Sequence, residues 1–99
     1  MKREQYFKLE VRKIDNYKGV EIFTSNNTPR ESVAMMSPLG YIEIHPDAYA
    51  ALREKPDYLK RIYDHEITEG PGHGEHACKD TDIIAYLKEK GYDFGDFVV

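Results

Sequence analysis

The hydrophobic pattern of this chain changes its period at Pro46, and this change constrains the fold more than any other feature. Before Pro46, apolar and polar residues alternate in short segments, as in strands with one buried face. After Pro46, apolar residues recur every three or four positions, as on one side of a helix. Strands followed by helices are typical of α+β domains. We therefore predict an α+β fold, with a small antiparallel sheet of three or four strands followed by two or three helices.

The segments before Pro46 have clear strand patterns. In residues 6–14, Phe7, Leu9 and Val11 alternate with charged side chains. Glycine, proline, asparagine and serine separate this segment from the ones that follow, as expected for turns. The other predicted strands are residues 20–24, 33–36 and 41–45, and residues 92–99 are predicted to add a short edge strand.

The helices have recognisable ends. Asp47 can cap a helix over residues 48–54, and Pro56 is well placed as the first residue of a second helix. The second helix should stop at residues 70–72, because proline cannot continue a helix and glycine favours turning backbone.

A third predicted helix runs from about Glu75 or Asp80 to Lys90 and ends at Gly91. Its predicted inner face consists of Ile83, Ile84 and Leu87.

At 99 residues the chain has the size of one domain, residues 1–99, with strands over about 6–45 and helices over about 47–90. A net charge of −4 argues against a nucleic acid or a membrane surface as a partner bound through bulk charge. The single cysteine, Cys78, excludes an internal disulfide and fits a reducing compartment. The sequence contains neither a membrane-spanning apolar segment nor a signal-peptide pattern, so we expect a cytoplasmic protein.

The most unusual segment is residues 65–76, which contains three of the four histidines together with three glutamates. If Pro56 begins a helix, each residue advances about 100° around the helix axis. Glu66 then lies near the middle of an apolar arc, where a carboxylate costs free energy unless it has a role. The members of this arc are Leu59, Ile62, Tyr63 and Ile67. The alternative is a helix displaced so that Glu66 reaches solvent.

His65 and Glu69 are one helical turn apart, the spacing at which two side chains can bind one metal ion. The alternative is a weak hydrogen-bonded pair on the helix surface. If the last helix begins near Glu75, His76 and Asp80 are also one turn apart and point toward the core. The short break at residues 70–72 would then bring this second pair opposite the first.

We predict that His65, Glu69 and His76 bind a divalent metal ion. Asp80 is either a fourth ligand or a carboxylate that orients an imidazole, and His73 is a reserve candidate. Imidazole and carboxylate ligands suit Zn²⁺, the ion we expect, although manganese, iron and nickel accept them too.

Residues 65–69 form the motif His-Glu-x-x-Glu, which resembles the His-Glu-x-x-His motif of the zincin superfamily of metallopeptidases, particularly its small gluzincin-type members. The resemblance covers roughly residues 33–88 and includes a strand that ends at His45. It implies a zincin-like fold, in which an edge strand beside the active-site helix aligns an extended peptide.

The resemblance also implies roles for individual residues. His65 and Glu69 correspond to metal ligands, and Glu66 corresponds to the catalytic general base. The third ligand of the superfamily comes from a later helix, where Asp80 and Asp82 are the acidic residues.

Two functions of different classes fit these features. The first is a small metal-dependent hydrolase that acts on a peptide or another amide bond. The second is a non-catalytic module that keeps the zincin-like fold, with or without a structural metal, and binds another protein. In both cases the expected partner is a peptide or protein. Two further residues receive structural interpretations: His45, before Pro46, as an exposed residue at a strand end, and Cys78, near the cluster, as a small buried thiol.

Overall fold

The structure, a computed structural model, describes residues 11–70 and 78–95. Strands precede helices along the chain, and the α+β fold is confirmed. The strands are β1 (Val11–Tyr17), β2 (Val20–Ser25), β3 (Ala34–Met36) and β4 (Ile42–Ile44). The helices are α1 (Pro46–Leu52), α2 (Pro56–Glu69) and α3 (Thr81–Glu89).

The four strands form one sheet in the order β1-β2-β4-β3. The β1–β2 and β3–β4 pairs are antiparallel, but β2 and β4 run parallel. The sheet is therefore mixed, and the predicted purely antiparallel sheet is wrong at its central pairing. Residues 26–33 carry the chain from β2 to β3 at the edge of the sheet. The next strand, β4, then lies between β3 and β2. Alternation reveals which residues share a face, but it does not reveal which strands become neighbours.

One face of the sheet carries the core. Ile22 lies opposite Ile42, and Thr24 lies opposite Ile44, so these residues point to the same side. The three isoleucines are fully buried. The helices cover this side with their own apolar residues, which include Ala48, Leu52, Ile62, Tyr63, Ile83 and Leu87.

Several predicted boundaries shift at the ends of elements. β1 extends to Tyr17, beyond the predicted end at residue 14, and residues 6–10 lie outside the described residues. α2 begins at Pro56 as predicted and ends at Gly70, whose φ of 76° is a backbone conformation that glycine adopts readily. The described part of the predicted tail strand is not a strand, since Tyr92 and Phe94 pack their rings edge to face against each other instead.

The predicted cap of α1 is wrong, and the structure decides between the two predicted starts of α3. His45, not Asp47, caps α1, because the His45 ring accepts a hydrogen bond from the Asp47 backbone N–H. α3 begins at Thr81, and Asp80 has extended backbone and caps the helix through its side chain. The predicted start near Asp80 is therefore correct, and the start near Glu75 is wrong. Only the start near Glu75 would have aligned Asp80 with the inward face of the helix.

Val33 enters β3 with a φ of 68°, a conformation that a β-branched residue adopts only under strain. Its side chain is 1% exposed, and its backbone N–H donates to the carbonyls of Pro29 and Arg30. Burial and hydrogen bonding therefore hold the strained residue in place, and this fixes the entry into β3.

His45 is buried, so the prediction of an exposed strand-end residue is wrong. Nδ1 of His45 accepts the Asp47 N–H at 3.1 Å, and Nη1 of Arg30 lies 3.2 Å from Nε2. Arg30 also stacks on the Tyr92 ring and binds the Asp47 carboxylate at 3.0 Å. These contacts join the loop before β3, the start of α1 and the C-terminal tail.

No described helix is long and apolar enough to cross a bilayer.

Burial, and secondarily the positive charge of Arg30, lower the pKa of His45 below its ordinary value of 6.5. Protons therefore bind more readily to the unfolded chain, and this residue's contribution to stability is present above pH 6.5 and lost as the pH falls through the folded-state pKa. His45→Asn keeps a capping acceptor but does not titrate. We expect wild type to lose stability relative to His45→Asn between pH 7 and pH 5, as measured by urea unfolding. A constant difference across this range would contradict the assignment.

Candidate functional site

The candidate site lies on the C-terminal half of α2, where the helix packs against β3. Ile62 and Tyr63 are buried in the core, and Leu59 and Ile67 pack against it. Glu66 projects from the same side of the helix and is half-buried. Glu66 therefore lies in the apolar arc, as the helical period predicts.

The environment of Glu66 favours the neutral carboxyl group. Burial is the main cause, followed by the negative charge of Glu69, and together they raise the pKa of Glu66 to about 7. A hydrogen bond from the backbone of Met36 in β3 acts in the opposite direction, because it stabilises the carboxylate. The carboxyl group thus lies against the β3 backbone and changes its charge near neutral pH.

His65 and Glu69 are brought together by the helix. Nε2 of His65 lies 3.4 Å from Oε2 of Glu69, and the two side chains are 60% and 31% exposed. A strong N–H···O hydrogen bond is shorter, at about 2.7–3.2 Å. Two ligand atoms bound to one tetrahedral zinc ion lie about 3.3–3.5 Å apart, given bonds of about 2.0–2.1 Å. The spacing of this pair therefore fits shared coordination of one ion.

Asp80 lies against α2, but one turn away from the predicted position. Its carboxylate accepts hydrogen bonds from Nη2 of Arg61 at 2.6 and 2.7 Å, and Asp82 lies 3.4 Å from the same nitrogen. Arg61 precedes His65 by one helical turn, or about 6 Å along the axis. Asp80 also accepts the backbone N–H groups of Asp82 and Ile83. The carboxylate is therefore engaged by a guanidinium and by the start of α3.

Cys78 connects the two helices near Glu66. Its backbone N–H donates to the Glu31 carbonyl at 2.9 Å, and its side chain packs against the core. Burial raises the pKa of the thiol, a hydrogen bond with the Asp80 backbone lowers it, and the negative charges of Asp80 and then Glu66 raise it further. Cys78 is therefore a neutral packing residue that is partly buried, whereas the sequence predicts a buried thiol, and its side chain lies within electrostatic range of Glu66.

The remaining predicted ligands, His76 and the reserve candidate His73, lie outside the described residues. Within residues 11–70 and 78–95, no three His, Cys, Asp or Glu side chains cluster closely enough to hold a metal ion. The described part of the site thus supplies the His65–Glu69 pair and the adjacent Glu66, while Asp80 is held by Arg61.

No family model, curated protein or solved structure matches this chain.

Sequence analysis missed two contributors to this site. Arg61 was not considered, although a cation one turn before His65 on the same helix is a ready partner for a nearby acidic residue. The backbone of Met36 carries no sequence signal, because its position depends on how β3 packs against α2.

Glu66→Gln should change the pH dependence of stability. Because the folded-state pKa of about 7 lies above the ordinary 4.5, the contribution of Glu66 is fully present below pH 4.5 and lost as the pH rises through 7. The variant should therefore match wild type near pH 4 and exceed it by about 1–2 kcal/mol at pH 8, after solvent screening of a half-buried group is allowed for. Urea unfolding in the presence of a chelator measures this difference.

Glu89→Gln, an exposed change of the same chemistry on α3, is the matched control and should leave the pH profile unchanged. If Glu66→Gln destabilises the domain at every pH, Glu66 is a satisfied structural carboxylate, and both the high pKa and the catalytic role are wrong.

Proposed function

We propose that the C-terminal half of α2 is the metal site of a zincin-like hydrolase that acts on peptide or other amide bonds, with Zn²⁺ as the ion. The observation that carries this proposal is the 3.4 Å separation of His65 Nε2 and Glu69 Oε2, which matches two ligands of one tetrahedral ion. The two residues are on consecutive turns of one helix, so the backbone places both side chains on the same side of α2.

A catalytic zinc site usually has three protein ligands and one open position. His65 and Glu69 supply two, and in this proposal His76, from the segment between α2 and Cys78, supplies the third. The contacts of Asp80 with Arg61 and with the start of α3 argue against direct ligation by that carboxylate.

Glu66 is the proposed general base. It follows a ligand directly in sequence, is half-buried and lies against the backbone of β3. In the hydrolase, the Glu66 carboxylate accepts the proton of the attacking water and later passes it to the leaving amine. The bound ion would supply Lewis-acid polarisation of the scissile carbonyl.

β3 is the proposed substrate-binding strand. Among the described strands it is the last on its side of the sheet, with β4 as its neighbour. An extended peptide can add to such an edge through main-chain hydrogen bonds. Since Glu66 contacts Met36 in β3, a peptide bound along this edge would lie beside the proposed base.

A non-catalytic protein-binding module is the second candidate function. The observation that favours it is the engagement of Asp80 by Arg61, together with the lack of a three-ligand group among the residues described here. In this case β3 binds a partner protein by strand addition, and Glu66 has no chemical role.

We expect the purified full chain, without an affinity tag, to bind one equivalent of Zn²⁺ in calorimetry at pH 7.5. His65→Ala and Glu69→Gln should each weaken binding by about 10-fold or more, since each removes a ligand. Affinity should fall as the pH decreases through the histidine range, because the imidazole must be neutral to bind. Glu89→Gln is the control for general charge effects.

The metal-site proposal would be abandoned if wild type binds no zinc, or if His65→Ala binds as tightly as wild type. If Glu89→Gln retains zinc binding and Glu69→Gln loses it, the loss comes from the site and not from the change in overall charge.

A separate experiment distinguishes the two functions. In the hydrolase, Glu66→Gln should retain zinc but lower the rate of cleavage of a fluorogenic peptide pool by about 10²–10⁴-fold, because proton transfer is lost. Equal cleavage rates in both proteins would exclude Glu66 as the base. Zinc binding without cleavage of any peptide by wild type would favour the binding module, in which Glu66→Gln leaves partner affinity almost unchanged.

A further inference from the structure

A cleft of about 290 Å³ opens between α1 and the strands β1 and β2, at the opposite edge of the sheet from β3. With strands about 4.8 Å apart, the β1 and β3 edges are separated by roughly 14 Å. The cleft is therefore distinct from the site at the end of α2. Its lining residues are Arg12, Ile14, Thr24, Pro46, Tyr49 and Arg53.

The local backbone explains why these side chains meet. Pro46, Tyr49 and Arg53 recur at helical spacing along one side of α1 and its C-terminal end. Arg12 lies opposite Thr24 in the β1–β2 ladder, so both point to the helix-covered face. The ladder register shifts between Lys13 and Asp15, where Ile14 is the extra residue. Such a bulge redirects side chains at a sheet edge, and here it lies beside the cleft.

The two arginines in the cleft differ from the other two described arginines. Arg30 binds the carboxylate of Asp47, and Arg61 binds that of Asp80. Within the described part of the chain, neither Arg12 nor Arg53 forms an ion pair with a carboxylate. Acidic residues outnumber basic ones, 18 to 14, so carboxylates are abundant on this protein. Two arginines that line one cleft without such a partner are available to an external anion.

The rest of the lining is mainly apolar. Ile14 and Pro46 provide aliphatic surface, and Tyr49 provides an aromatic ring with a hydroxyl group. The Thr24 hydroxyl donates to the Arg12 carbonyl at 3.4 Å, so it belongs to the strand pair. A cleft of this volume, near the lower end of the range for ligand sites, suits an oxyanion joined to one small ring.

We propose that this cleft binds a small organic anion, with its phosphate or carboxylate oxygens held by Arg12 and Arg53 and its apolar part packed against Tyr49, Ile14 and Pro46. Guanidinium groups present paired N–H donors that match the oxygens of both anions. The apolar lining can pack against a ring, a group that inorganic phosphate lacks. Binding here is independent of the metal at the end of α2.

Titration of the ¹⁵N-labelled full chain with phenyl phosphate, benzoate and phenol tests this proposal. We expect phenyl phosphate, benzoate or both to shift the amide signals of residues near the cleft, such as Thr24 and Tyr49, while phenol at equal concentration does not. The stronger of the two anions identifies phosphate or carboxylate as the preferred group. Inorganic phosphate should bind more weakly than phenyl phosphate if the ring packs against Tyr49.

Arg12→Gln and Arg53→Gln should each weaken binding of the stronger anion by about tenfold or more, because each removes a charged donor. Arg53→Lys should bind with intermediate affinity, since it keeps the charge but loses the paired donors. Lys60→Gln, an exposed change on α2 with the same loss of charge, is the matched control and should bind as wild type does. Melting curves establish that each variant is folded.

Any one of four results would overturn the proposal. The first is that neither anion binds wild type at 10 mM, on the scale of weak millimolar affinities. The second is that both arginine variants bind as wild type does. The third is that Lys60→Gln loses as much affinity as the arginine variants, since the effect would then come from the overall charge. The fourth is that the anion shifts the amide signals of β3, and not those of β1, β2 and α1, in wild type. This measurement needs no variant, so it tests the proposal even if a variant fails to fold.

Discussion

The parallel pairing of β2 with β4 is the interaction on which the rest of the structure depends. It places Ile22, Ile42 and Ile44 at the centre of one sheet face, where all three are fully buried. The helices can bury their own apolar sides only by covering this face. The same pairing displaces β3 to one edge of the sheet and leaves β1 at the other. The position of each candidate site, at the β3 edge and at the β1 edge, follows from that arrangement.

Two buried titratable groups give the domain opposing responses to pH. His45 resists protonation because it is buried beside Arg30, whereas Glu66 resists deprotonation because it is half-buried near Glu69. As the pH falls from 7 toward 5, the first effect lowers the free energy of unfolding and the second raises it. The two effects therefore partly cancel in the pH dependence of wild-type stability, and variants at one residue at a time are needed to separate them. The two groups also lie in different parts of the fold: His45 caps the start of α1, and Glu66 extends from α2 toward β3.

The two candidate sites use charge in opposite ways. At the end of α2, Glu66 and Glu69 lie close together near His65, an arrangement that a cation would relieve. In the cleft beside α1, Arg12 and Arg53 line an otherwise apolar wall, an arrangement that an anion would relieve. Asp80 and Arg61 show the contrasting case, in which opposite charges within the chain satisfy each other and anchor α3 to α2. The two candidate sites differ from this pair in that each places side chains of like charge in one site.

By itself, the sequence determined the local structure. Alternation predicted β4, an apolar segment predicted β3, proline and glycine predicted the ends of α2, and the helical period placed Glu66 inside the apolar arc and His65 one turn from Glu69. These features depend on neighbouring residues, so a linear pattern records them. Tertiary structure alone decided that β2 and β4 run parallel, that His45 is buried under Arg30 and Tyr92, that Asp80 pairs with Arg61, and that Arg12 and Arg53 line one cleft. Each of these contacts joins residues distant along the chain, and it is fixed by the packing of helices on the sheet, which no local period encodes.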